Sequence, residues 1–326
     1  MEIGSAKILG IHHVTAIASD PQQNINFYTG LIGLRLVKLT VNFDDPQTYH
    51  LYYGDAVGHP GSILTFFPWP NSPRGRRGTG QATVTSFSVP ADSINYWREH
   101  LRTKGVRLEE TEEGFEGEET LTFYDPDDLK LNLVAGSRKL DERFTPWEKS
   151  PIPERHAIRG FHGITLSEEG YESTARLLTE ELGFRKIREE GERFRYEVGS
   201  GFVDVPCQPA LPRGEILAGT VHHVAFRTPS DDQQKAWRKE LVRAGRNVTP
   251  ILDRRYFHSI YFREPGGVLF EIATDPPGFS TDEPEEKLGT ALKLPPWLES
   301  SRKRIEAALP KIQLATASQI EKPVNS

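Results

Sequence analysis

The chain has 326 residues, 37% of them apolar and 26% charged, with a formal net charge of -6. That length accommodates two buried cores, and the composition is that of an ordinary globular protein, with no stretch near the roughly 20 apolar residues of a membrane span and no net positive field to recruit nucleic acid. A single cysteine, Cys207, excludes an internal disulfide and a thiolate-rich zinc site, so any metal chemistry must use nitrogen and oxygen donors.

The N-terminus, "MEIGSAKILGIHHV", lacks the basic and apolar regions of a signal peptide, and a cytoplasmic location is the expectation. A strand, "GIHHVTAI", opens the first unit. Asp20-Pro21 follows as cap and first helical residue, and the strand "GSILTFFPW" closes the unit. Arg74, Arg76 and Arg77 in "PRGRRG" then read as a solvated loop among Pro and Gly. In the second unit "ATVTSFSV" leads into "ADSINYWREHLRTKG", where Ile94, Trp97 and Leu101 share one helical face and Gly105 is the stop. It ends in "LTFYDPDDLKLNLVA" (121–135), a strand, an acidic-Pro turn and a strand.

The charged, Pro-rich stretch 139–156 reads as a linker between a first domain, 1–138, and a second, 157–276. The third unit starts at "RGFHGITL", runs through the helix "YESTARLLTEELG" and closes with "RFRYEVGSGFVDVP". The fourth starts at "TVHHVAFRT", continues through "SDDQQKAWRKELVRAG" with Trp237 and Leu241 inward, and ends in "IYFREPGGVLFEIAT" (260–274). This last hairpin repeats that of the second unit, matching Asp125-Pro126 with Glu264-Pro265. Residues 277–326 form an extension with one amphipathic helix, "PPWLESSRKRIEAALPKI", and a polar tail. The fold class is therefore α+β: four strand-helix-three-strand units, each too short to bury its sheet face without a neighbour.

Two units open with the same His-His-Val. Adjacent strand residues point to opposite faces, and the third unit keeps a histidine, His162, only in the second slot, which selects His13 and His223 as cavity-facing. Glu271 projects from a strand otherwise built for burial, where a lone carboxylate is costly unless a cation offsets it, and the second unit has Asn132 in its place. Two imidazoles and one carboxylate leave positions open on an octahedral ion, an arrangement suited to non-haem Fe(II), although Mn(II) or Zn(II) also accepts these ligands. His162 and Asp204, near Asn132, form a rival pair that reads as a remnant or a hydrogen-bonded pair.

Taken with "GSILTFFPWP" followed by "GRRGTG", and with "DRRYFHSIYFREPGG", these units resemble the vicinal oxygen chelate (glyoxalase/bleomycin-resistance/extradiol dioxygenase) superfamily, and within it the hydroquinone ring-cleaving dioxygenase branch, over nearly the whole chain. The resemblance implies two glyoxalase-like domains, with an Fe(II) site of His13, His223 and Glu271 where units one and four meet. It also implies that His12, Thr15, His222, Arg254 and Tyr261 back these ligands or touch substrate. A small aromatic and O2 are the expected partners, with no nucleic acid, no membrane and homo-oligomer formation left open. The competing readings are a glyoxalase-type isomerase or lyase, for which unit one offers Thr65 but no fourth acidic ligand, and a metal-free protein that sequesters aromatics.

Overall fold

The computed structural model describes residues 6–109, 114–115, 117–136 and 140–314. The start of the N-terminal stretch, the expected domain boundary at 138–139 and the end of the polar tail lie outside the described residues.

Each of the four expected units forms. Unit one comprises β1 (Ile11–Ala18), α1 (Pro21–Gly30), β2 (Arg35–Val41), β3 (Tyr49–Gly54) and β4 (Ile63–Pro68). Unit two comprises β5 (Gln81–Val89), α2 (Ile94–Thr103), β6 (Leu108–Glu109), β7 (Glu119–Tyr124) and β8 (Lys130–Ala135). Unit three comprises β9 (Phe161–Ser167), α3 (Glu172–Arg176), β10 (Arg185–Glu190), β11 (Arg193–Val198) and β12 (Gly201–Pro206). Unit four comprises β13 (Val221–Thr228), α4 (Asp231–Arg243), β14 (Leu252–Asp253), β15 (Phe257–Arg263) and β16 (Leu269–Pro277).

The units pair first with fourth and second with third. One sheet runs β14-β15-β16-β13-β1-β4-β3-β2 and the other β10-β11-β12-β9-β5-β8-β7-β6. Each is joined at its centre by the opening strands of two units running antiparallel, β1 against β13 and β5 against β9. Residues 1–138 and 157–276 thus contribute one unit to each sheet. Helices cover one face of the sheets: α1 packs on β2 and β3, α2 on β7 and β8, and α4 on β15 and β16. The anchors are those the periodicity selects, with Ile94, Trp97 and Leu101 on α2 and Trp237 and Leu241 on α4 all buried. Asp20 caps α1 by accepting from the amides of Gln22 and Gln23, with Pro21 in the first turn.

Two segments differ from their sequence reading. The third helix is a short α-turn followed by a wider π-turn over Leu177–Glu181, which lets the adjacent Leu177 and Leu178 both face inward. The C-terminal helix, α5, spans only Arg302–Ala308, because Pro295, Pro296 and Pro310 cannot continue it. The stretch 140–156 is docked on the fold. Phe144 is buried over Gly160, whose φ of +78° and lack of a Cβ both matter, since a Cβ there would lie 2.4 Å from the ring.

The extension covers the β2 edge through the Leu39–Leu292 bridge and the Lys293 amide on the Leu39 carbonyl. Lys38 fixes it from inside, its fully buried Nζ lying 2.6 Å from Asp282 and 2.5 Å from Glu283. No described helix is long and apolar enough to cross a membrane.

Candidate metal centre

The uncovered face of the first sheet carries His13, His223 and Glu271, which are 2%, 4% and 0% exposed. Pairing of β1 with β13 sets Thr15 opposite His223, and pairing of β13 with β16 sets Ala225 opposite Glu271. Three residues far apart in sequence therefore meet. His13 Nε2 lies 3.2 Å from His223 Nε2, and Glu271 Oε2 lies 3.3 Å from the first and 3.0 Å from the second. This is the one group of three such residues among those described that is close enough to hold an ion.

Hydrogen bonding fixes the direction of the contact between His12 and His13. His12 Nε2 lies 3.2 Å from the Thr274 carbonyl, an acceptor only, so it donates there. Burial pushes the His12 pKa well down and keeps the ring neutral, so its Nδ1 has a lone pair. His13 Nδ1, 2.9 Å away, donates to that lone pair, and His13 Nε2 is aimed at the other two donors. His222 and His223 repeat the contact, with their Nδ1 atoms 2.8 Å apart, and burial lowers His222 to about 3. Burial also lowers His223.

Ser259 donates to Glu271 Oε1 over 2.5 Å, while Oε2 is buried with no hydrogen-bond partner. An orphaned buried carboxylate oxygen within 3.3 Å of two imidazole nitrogens is a donor set for a divalent cation, so these residues fit a divalent metal.

The doubled histidines have a structural explanation that strict alternation misses. Between β1 and β13 the register skips His12 on one strand, between Ile11 and His13, and His222 on the other, between His223 and Val221. Each leading histidine is thus the extra residue of a β-bulge, which turns it to back its neighbour instead of facing away.

A cavity of about 380 Å³ opens at the triad, walled by Phe43, Phe67, Trp69, Phe257 and Leu269. His222, Arg254 and Tyr261 line it; His12 and Thr15 do not. Thr15 is fully buried, its hydroxyl 2.9 Å from that of Thr65. Arg254 Nε donates to the Tyr261 hydroxyl over 3.2 Å, and its Nη1 lies 2.9 Å from Asp44 on the β2–β3 loop. Burial pushes the Tyr261 pKa up, so the phenol stays protonated. Sequence reasoning missed Ser259, His50 and Tyr52. Each lies two residues, or one hairpin copy, from a residue it did select, so the alternation of β3 and β15 was the available signal.

In the second sheet the corresponding position beside the parallel strand is Asn132, paired with Ser86 as Glu271 is with Ala225. His162 and Asp204 line a separate cavity of about 310 Å³ there. The Arg195 guanidinium stands between Asp204 and Glu118, and His162 Nε2 lies 3.0 Å from Glu118. An internal cation fills the place an ion would take.

The model of the glyoxalase/bleomycin resistance protein/dioxygenase superfamily matches residues 10–133 and 160–272. The chain is 47% identical over 309 residues to MhqE of Bacillus subtilis (strain 168), provisionally named a ring-cleaving dioxygenase, covering 94% of this chain and 100% of that one. It is 33% identical over 307 residues to the chlorohydroquinone/hydroquinone 1,2-dioxygenase of Sphingobium indicum, covering 90% and 93%. A crystal structure of a provisionally named dioxygenase from Bacillus subtilis superposes with a TM-score of 0.89 at 43% identity, over 95% of this chain and 99% of that one. Glyoxalase I from Zea mays shares the fold at 14% identity with a TM-score of 0.59, over 83% and 93%.

Proposed function

Because the chain belongs to the glyoxalase/bleomycin resistance protein/dioxygenase superfamily, we propose that it is an Fe(II)-dependent ring-cleaving dioxygenase. Its reaction opens hydroquinone-type aromatics beside a hydroxyl by inserting both atoms of O2, yielding a semialdehyde acid. The observation that carries this reading is the orphaned Glu271 oxygen beside the two imidazole nitrogens of His13 and His223, which line an aromatic-walled cavity.

His13, His223 and Glu271 would hold the ion, and His12, His222 and Ser259 would fix the orientation of those ligands. When bound, Fe(II) supplies Lewis acidity toward a phenolic oxygen and redox chemistry toward O2; Mn(II) or Zn(II) is the alternative occupant of the same ligands. Arg254 would offset negative charge that develops on the ring or on oxygen, at a cavity wall where water screens little. Tyr261, protonated and tied to Arg254, would hydrogen-bond a substrate oxygen and hold a proton at its hydroxyl. His222 is neutral and lines the cavity, so it presents an imidazole for proton transfer. The apolar rings would stack on the substrate and exclude water.

Thr65 on β4, not an acid, pairs with Thr15 on β1, so unit one adds no fourth acidic ligand there of the kind an isomerase site employs. Oxygen consumption by protein reconstituted anaerobically with Fe(II) tests the proposal against hydroquinone, catechol and the glutathione hemithioacetal of methylglyoxal. Uptake with hydroquinone supports it; isomerisation of the hemithioacetal without oxygen uptake refutes it.

A further inference from the structure

Unit one carries its own copy of the wall that holds Tyr261 and Ser259, and the reaction proposed above leaves that copy without a task. The strand register makes the correspondence. Tyr52 on β3 pairs with Thr65 on β4, as Tyr261 on β15 pairs with Glu271 on β16. Two residues earlier on the same faces, His50 stands where Ser259 stands. Ser259 bonds Glu271, and His50 bonds Thr65, with Nε2 2.9 Å from Oγ1. Thr65 is in turn 2.9 Å from Thr15, so a buried threonine outside the cavity lining anchors this chain.

The other nitrogen of His50 is also used. Nδ1 lies 2.9 Å from the Tyr52 hydroxyl, with the two rings 4.0 Å apart. Tyr52 is held on its other sides by the edges of Tyr256, Phe257 and Phe279, at centroid distances of 6.2, 6.5 and 5.2 Å. Phe257 separates it from the triad, its ring 5.0 Å from that of His13. A phenolic hydroxyl can donate one hydrogen bond and accept two, and His50 accounts for one of the three. The rest have no protein partner among the described residues, in a side chain that lines the cavity.

We propose that Tyr52 recognises the second hydroxyl of a dihydroxybenzene, the one remote from the metal ligands, and that His50 is a positioning residue that aims the phenol. This rests on the reading that a first phenolic oxygen is held at the His13–His223–Glu271 end. The Thr15–Thr65–His50–Tyr52 chain can run in either polarity, and a ring hydroxyl answers both because it gives and accepts. A methyl group answers neither. Burial pushes the Tyr52 pKa well up, consistent with a neutral hydroxyl throughout.

The test is calorimetric titration, without O2, of the Fe(II)-loaded protein with hydroquinone and with 4-methylphenol, in which a methyl replaces the second hydroxyl. The native protein is expected to prefer hydroquinone by about fivefold or more, the effect of one net hydrogen bond. Tyr52→Phe should bring the ratio to about one with iron content and melting temperature unchanged. His50→Asn, which keeps a polar atom near the Nδ1 position, should retain the preference; His50→Gln, which keeps one near Nε2, should lose it. A purely structural role would make those two variants alike. Tight hydroquinone binding with no preference in the native protein, or with the preference intact in Tyr52→Phe, overturns this inference and leaves the functional reading standing. Failure of both phenols to bind the native protein overturns both.

Discussion

Replacing Arg195 by leucine tests whether an internal cation holds the second sheet's cavity together. The guanidinium meets Asp204 through Nε and Nη2, both at 2.7 Å, and Glu118 through Nη2 at 3.1 Å, with Nη1 on Glu118 as the fourth contact. The side chains of Arg195, Glu118 and Asp204 are 7%, 11% and 16% exposed. Breaking a buried pair costs about 3–5 kcal/mol. Two acids lose their cation here, but His162 still serves Glu118 and some solvent reaches the site, so about 3 kcal/mol is expected near pH 7. The pH dependence has a definite sign. Burial would raise Glu118, but His162 and Arg195 outweigh it and bring the group from 4.5 to about 2, so its native contribution is complete above 4.5 and lost as pH falls toward 2. Burial raises Asp204 even beside Arg195. Without the cation Asp204 is left to burial and Glu118 to burial and His162, so the charged form of each is less favoured than in the native protein, and the deficit is largest at about pH 7 and shrinks toward about pH 4. Urea melts across that range measure it, and adding Glu118→Gln with Asp204→Asn should recover most of the loss. A deficit below about 1 kcal/mol at neutral pH, or one that grows on acidification, refutes the reasoning.

Other changes separate the roles of residues around the centre. His12→Phe removes the acceptor of the His13 Nδ1 proton and should weaken metal binding by about 10–100-fold, read by chelator competition; unchanged affinity would show that the backing contact does not matter. Lys38→Met leaves Asp282 and Glu283 without their buried cation and should cost about 3–5 kcal/mol, with faster proteolysis within residues 277–294. Asp20→Ala uncaps α1 and should lower stability by about 1 kcal/mol in denaturant melts without altering metal affinity.

The local organisation was legible because it is written in local chemistry. Period-two runs ending in acidic-Pro turns specify hairpins, Trp97 and Trp237 mark the buried helical stripes, and a repeated His-His-Val set against His162 singles out His13 and His223. Asn132 in the sister position made Glu271 stand out as an acid that the fold does not require.

What depended on tertiary structure is what depends on partners distant along the chain. Strand order, which joins unit one to unit four, brings Glu271 within 3.3 Å of His13 across more than 250 residues. The bulges that turn His12 and His222 behind their neighbours exist only in the pairing of β1 with β13, since alternation within one strand carries no information about an extra residue in its partner. Arg195 filling the second cavity, and His50 meeting Tyr52 and Thr65, are likewise side-chain encounters across a folded sheet. Residue type and spacing determined which groups could carry chemistry; sheet assembly decided which of them share a point in space.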